Sequence, residues 1–274
     1  IGSKCFQNCY NLASINLPEG LTTIENYGFY GTGFASISLP STLLTIGDNA
    51  FGNSKEYANP QLTSIIIPAS VTYIGQRAFS GCDALKSVVL PPDLSVLQRG
   101  VFSHCKNLET ITLPDFLTSI NRYAFEYCYA LKNISFPATL SVIEEAAFEY
   151  SGLTSISLPK YLETIGSFAF SGCPLTMVTA MMEEPFEIEK NTFSDNTYET
   201  ATLVVPEGSE GLYAVTPAWD KFYNLVTTGV NQIAASSQSP TVCYMLDGRK
   251  AVAGRHGMLI VKKADGSVVK TFTR

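Results

Sequence analysis

A short string, Leu-x-x-Ile-x-Leu-Pro or a close variant, recurs along the chain at a nearly constant spacing. Its prolines are 22, 28, 23, 23, 23 and 22 residues apart, and they are Pro18, Pro40, Pro68, Pro91, Pro114, Pro137 and Pro159. Self-similarity at such a period is typical of a solenoid, in which each unit packs on its neighbours. The one long interval contains the polar residues 55–59, which we expect to bulge from one coil as a loop.

A second string lies between the prolines and consists of an Ile followed five residues later by Phe. Its nine occurrences are Ile1/Phe6, Ile24/Phe29, Ile46/Phe51, Ile74/Phe79, Leu97/Phe102, Ile120/Phe125, Ile143/Phe148, Ile165/Phe170 and Ile188/Phe193. Nine matches in register exclude chance. Because the first match falls on residue 1, we expect the natural protein to continue upstream.

Each unit predicts a short strand followed by an irregular return. In the unit that ends at Pro137, the period-two alternation at 133–136 predicts a strand with Ile134 and Phe136 facing inward. The proline ends the strand because it cannot donate to a ladder. Ala147 and Phe148 then close the coil with a small side chain beside a large one.

These strings resemble the BspA-like leucine-rich repeat family of Bacteroides-type surface proteins. The units of that family read Leu-x-x-Ile-x-Leu-Pro, then Leu-x-x-Ile, then Ala-Phe-x-x-Cys. The resemblance covers residues 1–193, with Thr32, Ser54 and Ser151 in place of Cys and Ala180 near the position of a proline. It implies a leucine-rich-repeat solenoid with one short strand per coil of about 23 residues and irregular or short helical or 3-10 returns.

Residues 194–228 are predicted to cap the solenoid, since an open solenoid end needs a cover. They hold Trp219, the single tryptophan of the chain, which would pack with Phe222 over the last coil. An isolated tryptophan could alternatively stack on a sugar.

Residues 229–274 are predicted to form a small β-strand module. They carry seven Lys/Arg and two Asp/Glu, whereas residues 1–228 carry eleven and twenty-two. Asp265-Gly266 between two apolar runs indicates a hairpin. This segment resembles C-terminal sorting-type β modules of secreted proteins from the same bacteria, although a β module without a sorting role fits equally well.

Five of the seven cysteines lie three residues after a repeat Phe, and these are Cys9, Cys82, Cys105, Cys128 and Cys173. They recur at the coil period and not at the spacing of a zinc site. We therefore expect a core column of buried free thiols, although neighbouring coils would bring the sulfurs near disulfide distance. Cys5 takes a small position beside Phe6, and Cys243 lies in the tail.

Composition and motifs argue against several classes of function. A net charge of −6 gives no electrostatic basis for binding nucleic acid or anionic lipid, and no apolar run is long enough to span a membrane. His104 and His256 lack a second ligand at useful spacing, and the pairs Glu144-Glu145 and Glu183-Glu184 are predicted to be solvated. No catalytic motif is present, so we expect no enzyme activity, metal or cofactor.

Two sets of residues remain as binding candidates. The first flanks the inward Ile of each strand and gives a flat, hydroxyl-rich face: Thr110, Thr112, Asn133, Ser135, Ser155 and Ser157. The second is a concentration of tyrosines within a few coils: Tyr123, Tyr127, Tyr129, Tyr150 and Tyr161. Tyrosine is enriched at recognition surfaces. The alternative for the first set is that these residues are merely solvated positions of a strand. The alternative for the second set is that the tyrosines pack between coils.

The leading hypothesis is a noncatalytic protein, secreted or on the outer cell surface, that recognises or adheres to an extracellular protein or glycoprotein. The resemblance implies this, because the family is associated with adhesion to host matrix proteins and to other bacteria. A glycan-binding accessory component of polysaccharide breakdown and a passive surface spacer are the alternatives.

Overall fold

A computed structural model describes residues 1–53 and 62–228, together with the backbone of three strands beyond residue 241. Residues 1–53 and 62–228 wind into a parallel β-solenoid of about nine turns with little helix. The predicted repeat solenoid is therefore confirmed. Its apolar side chains fill one continuous core.

The first ladder of strands comes from the Leu-x-x-Ile-x-Leu string, and we call its outer surface the strand face. The strands pair in parallel in two groups: Ser64–Ile66, Ser87–Val89 and Thr110–Thr112; then Ser155–Leu158, Met177–Ala180, Thr202–Val205 and Asn224–Thr227. Buried side chains alternate with exposed or half-buried ones in six of these seven strands, as period two requires.

The strand predicted at 133–136 is absent, and this expectation is wrong. The bonds to neighbouring coils come just before this segment: Ala130 N donates to Lys106 O, and Lys132 O accepts from Thr154 N. Ile134 and Phe136 still pack against the core, half-buried. The interruption lies beside a 22-residue coil whose shortened turn carries Gly152.

A second ladder, which the sequence did not predict, follows each proline. It is built from two-residue strands at Thr23–Ile24, Thr45–Ile46, Tyr73–Ile74, Val96–Leu97, Ser119–Ile120, Val142–Ile143 and Thr164–Ile165. They pair in parallel and in register in two groups, the first three strands and the last four. The second residue of each two-residue strand is buried. The Ile or Leu that begins each Ile/Phe string therefore has an inward side chain and also belongs to this ladder.

The repeat phenylalanines form a third contact between coils, along what we call the Phe arm. Phe102 N donates to Ala124 O at 2.9 Å, and Phe125 N donates to Ala147 O at 2.7 Å. Nine rings, from Phe6 to Phe193, stack with centroids 5.1 to 5.7 Å apart. In the described residues of the coils, the segment that leads from one strand to the next consists of turns and contains no helix. Of the two kinds of return that the sequence predicts, irregular and helical, the irregular one is present.

Left-handed backbone recurs two residues before and two residues after the repeat phenylalanine. The first column contains Lys4, Tyr27, Asn49, Arg77, Gly100, Tyr123, Ala146 and Phe168, and the second Asn8, Gly31, Gly81, His104, Tyr127, Tyr150 and Gly172. Such φ values are unfavourable for most L-residues. They persist because the coil bonds to its neighbours immediately on either side of the turn.

The cysteine column is present in four of its five predicted members. Cys82, Cys105, Cys128 and Cys173 are buried, and each thiol donates to the carbonyl of the repeat phenylalanine in the coil before, at 3.0 to 3.2 Å. The expectation for Cys9 is wrong, since it is exposed. Cys9 lies in the first of the described coils, which bonds to the coil that follows it.

The residues after the last repeat phenylalanine cover its ring. They contain helices Asp195–Thr200 and Glu210–Tyr213 and a 3-10 helix, Trp219–Lys221. Trp219 is fully buried, and its Nε1 donates to Phe186 O at 2.9 Å. Its ring centroid lies 6.1 Å from that of Phe193, and the Phe222 ring meets Phe193 edge-on at 5.3 Å.

The tail forms an antiparallel sheet of three strands, Val242–Met245, Gly257–Lys262 and Val268–Thr273. The middle strand pairs with both others, and Lys262 lies opposite Val268. The predicted Asp265-Gly266 turn, together with Ser54, His256 and the side chain of Cys243, lies outside the described residues.

Candidate interaction surfaces

The strand face presents the hydroxyl and amide residues that the alternation predicted. Thr110 and Thr112 are exposed on either side of buried Ile111, and Ser155 and Ser157 flank buried Ile156 in the same way. Asn133 and Ser135 are also exposed, although their segment is not a regular strand. All six strand-face candidates therefore point outward.

An apolar spot interrupts this polar face. Ile66 is 70% exposed and Val89 is 54% exposed. The parallel register places the two residues opposite each other and Thr112 next to Val89. The signal in the sequence is an aliphatic residue at an outward position of a period-two pattern.

Three of the five candidate tyrosines lie together on the Phe arm. Tyr127 stacks on Tyr150 with centroids 5.2 Å apart and planes 1° apart, and on His104 at 4.7 Å. Tyr129 leans against Tyr127 at 5.9 Å, tilted by 57°. We call these four residues the tyrosine ladder.

The backbone explains why this ladder forms. His104, Tyr127 and Tyr150 occupy the left-handed column two residues after the repeat phenylalanine, so one turn geometry aims all three rings alike. The next member of the column is Gly172, where a Cβ atom would lie 2.4 Å from the Tyr150 ring. The last ring of the stack therefore lies over a residue without a side chain.

Tyr123 and Tyr161 are not part of this ladder. The hydroxyl of Tyr123 bonds to Glu145 Oε1 at 3.2 Å, and Arg99 lies over its ring at 5.4 Å. Tyr161 follows Pro159 on the arm between the two strand ladders and is 69% exposed, with Lys160 over its ring at 6.0 Å.

Glu126 and Glu149 each lie in the sequence between a repeat phenylalanine and a ladder tyrosine, and the charges of both reach Tyr127. Ser103 Oγ donates to Glu126 Oε2 at 3.0 Å. Burial, followed by the charges of Glu126 and Glu145, raises the pKa of Glu149. Burial, followed by the charges of Glu126 and Glu149, also raises the pKa of Tyr127. No lysine or arginine in residues 1–53 or 62–228 lies within ion-pair distance of Glu126 or Glu149.

A shallow cleft along the second ladder holds Glu25, Asn26, Asp48 and Tyr73. Its polar side chains serve the backbone: Asn26 Oδ1 accepts from Asp48 N, and Asp48 Oδ1 accepts from Gln76 N, both at 2.8 Å. These oxygens replace ladder carbonyls between coils. The side-chain oxygens of Asn26 and Asp48 in this cleft are therefore engaged by the backbone.

A family model of the BspA type leucine rich repeat region matches the chain in six copies, over residues 1–128, 53–176 and 118–210. The chain belongs to the BspA-type leucine-rich repeat family. Membership of the BspA-type family indicates a repeat-based role in binding or recognition. The matches end at residue 210, so the sorting-type interpretation of the tail stays a prediction.

Solved structures of bacterial leucine-rich repeat proteins are similar to this BspA-type chain. One from Bacteroides ovatus is 26% identical, with 82% of this chain and 62% of that chain covered and a TM-score of 0.55. One from Eubacterium ventriosum is 28% identical, with 61% and 47% covered and a TM-score of 0.50. The chain thus spans less than two thirds of either protein.

A leucine rich cell surface protein from Faecalibacterium prausnitzii shares the fold at 23% identity, with 80% of this chain and 66% of that chain covered and a TM-score of 0.55. A search of curated proteins gives no match. In the part of the chain that the structure describes, no helix has the length and apolar character needed to cross a bilayer. The same part contains no group of three or more His, Cys, Asp or Glu placed to hold a metal ion.

Proposed function

We propose that this BspA-type protein is a noncatalytic recognition or adhesion protein, secreted or on the outer cell surface. It binds an extracellular protein or glycoprotein through the solenoid surface. The strand face carries this proposal. In the described coils its outward-facing positions, such as those on either side of buried Ile111 and Ile156, hold no charged residue.

The physical basis is the low desolvation penalty of such a face. Interface cores are depleted of charged residues, since burying an unpaired charge is expensive. Hydroxyl and amide groups such as those of Thr112 and Ser135 can exchange water for partner bonds, and Ile66 and Val89 add apolar area at its centre. The rigid ladder also removes the need to order the face on binding.

The five candidate tyrosines are proposed as further binding residues. Tyr129, Tyr150 and Tyr161 are 53%, 44% and 69% exposed, which leaves large aromatic surface for a partner. Tyr127 also stacks on Tyr150, so these two residues pack between coils as well. Binding and packing therefore share the same side chains.

Arrays of extracellular matrix proteins, bacterial surface proteins and glycans, probed with the full chain, test the proposal. We expect saturable binding to a protein or glycoprotein that falls at least tenfold in Thr112→Arg and Ser135→Arg. Ser95→Arg is the matched control, since Ser95 is exposed but lies outside the strand face. Binding to free glycans alone would favour the accessory role in polysaccharide breakdown, and no binding on any array would favour a spacer.

A further inference from the structure

We propose that the tyrosine ladder, with Glu126 and Glu149, forms a second binding surface for a basic, extended segment of a partner protein. This inference rests on the proposed recognition function and adds the chemistry of one partner. It uses the Phe arm and not the strand face, so the two surfaces can be tested separately. We call the set Tyr127, Tyr129, Tyr150, Glu126 and Glu149 the tyrosine–glutamate surface.

The aromatic part of this surface is preorganised. Tyr127 is held between His104 and Tyr150, and left-handed backbone fixes all three rings before any ligand arrives. Tyr129 is tilted by 57° relative to Tyr127 and is 53% exposed, so much of its side chain is accessible to a partner. An arginine guanidinium stacks well on an open aromatic face, and lysine binds it through its charge.

Among residues 1–53 and 62–228, no positive side chain compensates the acidic part of the surface. Glu126 and Glu149 are half-buried on successive coils, and Arg122, four residues before Glu126, pairs with Glu145 at 3.3 Å. A cation seated between the two carboxylates would relieve their repulsion. Partly buried carboxylates also bind a cation more strongly than fully solvated ones, because water screens them less.

The charge of the surrounding region favours the same ligand. Residues 1–108 contain six Lys/Arg and six Asp/Glu, whereas residues 109–228 contain five and sixteen. The tyrosine–glutamate surface therefore lies in the negative half of the solenoid. Such a field attracts cationic segments and raises their rate of association.

Fluorescence anisotropy with a labelled 12-residue peptide of alternating Arg and Gly tests the inference on the full chain. We expect saturable binding that is at least tenfold tighter than for the matching Ser/Gly and Glu/Gly peptides. The double variant Glu126→Gln/Glu149→Gln should weaken it at least tenfold, because the amides keep the shape and remove the charge. Tyr129→Ala should weaken it several-fold without lowering the melting temperature.

The double variant Glu163→Gln/Glu184→Gln is the matched control, with the same net charge and both changes at exposed positions on other arms. Equal weakening by the two double variants would overturn the inference in favour of net charge alone. Absence of Arg/Gly binding, or tighter binding of the Ser/Gly peptide or a soluble oligosaccharide, would also overturn it. Loss of self-association in the glutamine variants would instead assign the surface to a second copy of this chain. None of these results touches the strand-face test with Thr112→Arg.

Discussion

At the scale of single residues, each repeat column selects one side chain because it offers one environment. The cysteine column needs a small group that can donate a hydrogen bond, and a thiol does this in Cys105 and Cys128. Thr32 takes the same position and donates to Phe29 O at 2.8 Å, and Ser151 contacts the thiol of Cys173 at 3.2 Å. The hydroxyl groups of Thr32 and Ser151 therefore fit the position that a thiol takes in other coils.

Thiol labelling should separate the cysteines by position. Burial raises the pKa of Cys82 and Cys173 to about 12, and the protein also blocks access of a reagent to them. We expect iodoacetamide at pH 8 to label Cys5 and Cys9 in the native protein and to spare Cys82, Cys105, Cys128 and Cys173. Peptide mass spectrometry measures this. Equal labelling rates before unfolding would contradict the column.

Glu149 should make stability depend on pH. Because its pKa is raised in the fold, the folded state binds the proton more tightly than the unfolded state does. The destabilisation by the ionised carboxylate is therefore present at pH 7 and is lost as the pH falls through the raised pKa. We expect Glu149→Gln to melt above the wild type at pH 7, with a difference that narrows towards pH 4.5.

Melting curves at several pH values measure this difference. Glu163→Gln is the control for net charge, since Glu163 is exposed on another arm. A pH-independent advantage of Glu149→Gln would contradict the assignment, because it would then come from packing and not from proton binding.

At the scale of elements, substitutions in the stack of repeat phenylalanines and on the strand face should change the free energy of unfolding by very different amounts. Phe125 is fully buried between Phe102 and Phe148, so Phe125→Ala leaves a cavity and should lower the free energy of unfolding by about 3 to 5 kcal/mol. Ser135→Ala, on the exposed face, should change it by less than about 0.5 kcal/mol. Urea denaturation compares them, and equal losses would contradict the inward and outward assignment.

The shortened coils depend on close approach of backbone. A Cβ atom on Gly152 would lie 2.1 Å from Tyr129 O, so Gly152→Ala must push two coils apart and should lose about 1 to 3 kcal/mol. Gly211→Ala is the control, since its Cβ enters open space within helix Glu210–Tyr213. Urea denaturation of both variants tests this, and a neutral Gly152→Ala would show that the coils are not held at this distance.

The sequence predicts an element only where the pattern that marks it extends over enough residues. Period-two alternation around Ile111 and Ile156 predicted the strand face, whereas two-residue strands such as Thr164–Ile165 are too short to show a period. The left-handed columns were missed because Tyr, His, Lys and Asn occupy them more often than Gly. Tyr127 and Tyr150 are one coil period apart, so their contact can be predicted from the sequence. The tilt of Tyr129 cannot.

At the scale of the whole molecule, the solenoid depends on its covered end. Trp219→Ala removes the bond to Phe186 O and opens a cavity beside Phe193, so we expect a loss of about 3 to 5 kcal/mol. Because each coil contacts only its neighbours, protection from hydrogen exchange should fall first around Phe170 and Phe193 and last around Phe79.

Hydrogen-exchange mass spectrometry of the variant measures this gradient. Leu212→Ala is the control, since Leu212 belongs to the same region but is half exposed. A uniform loss of protection along the chain would contradict a nearest-neighbour solenoid and would indicate a single cooperative unit.

The bonds between coils, such as Phe102 N to Ala124 O, also determine the mechanical behaviour of the chain. A pull on the two ends of the solenoid loads these bonds in series, so coils give way one at a time. Each coil of 23 residues would release about 76 to 83 Å of extended polypeptide. A protein built in this way lengthens in steps under tension, and each step dissipates part of the load.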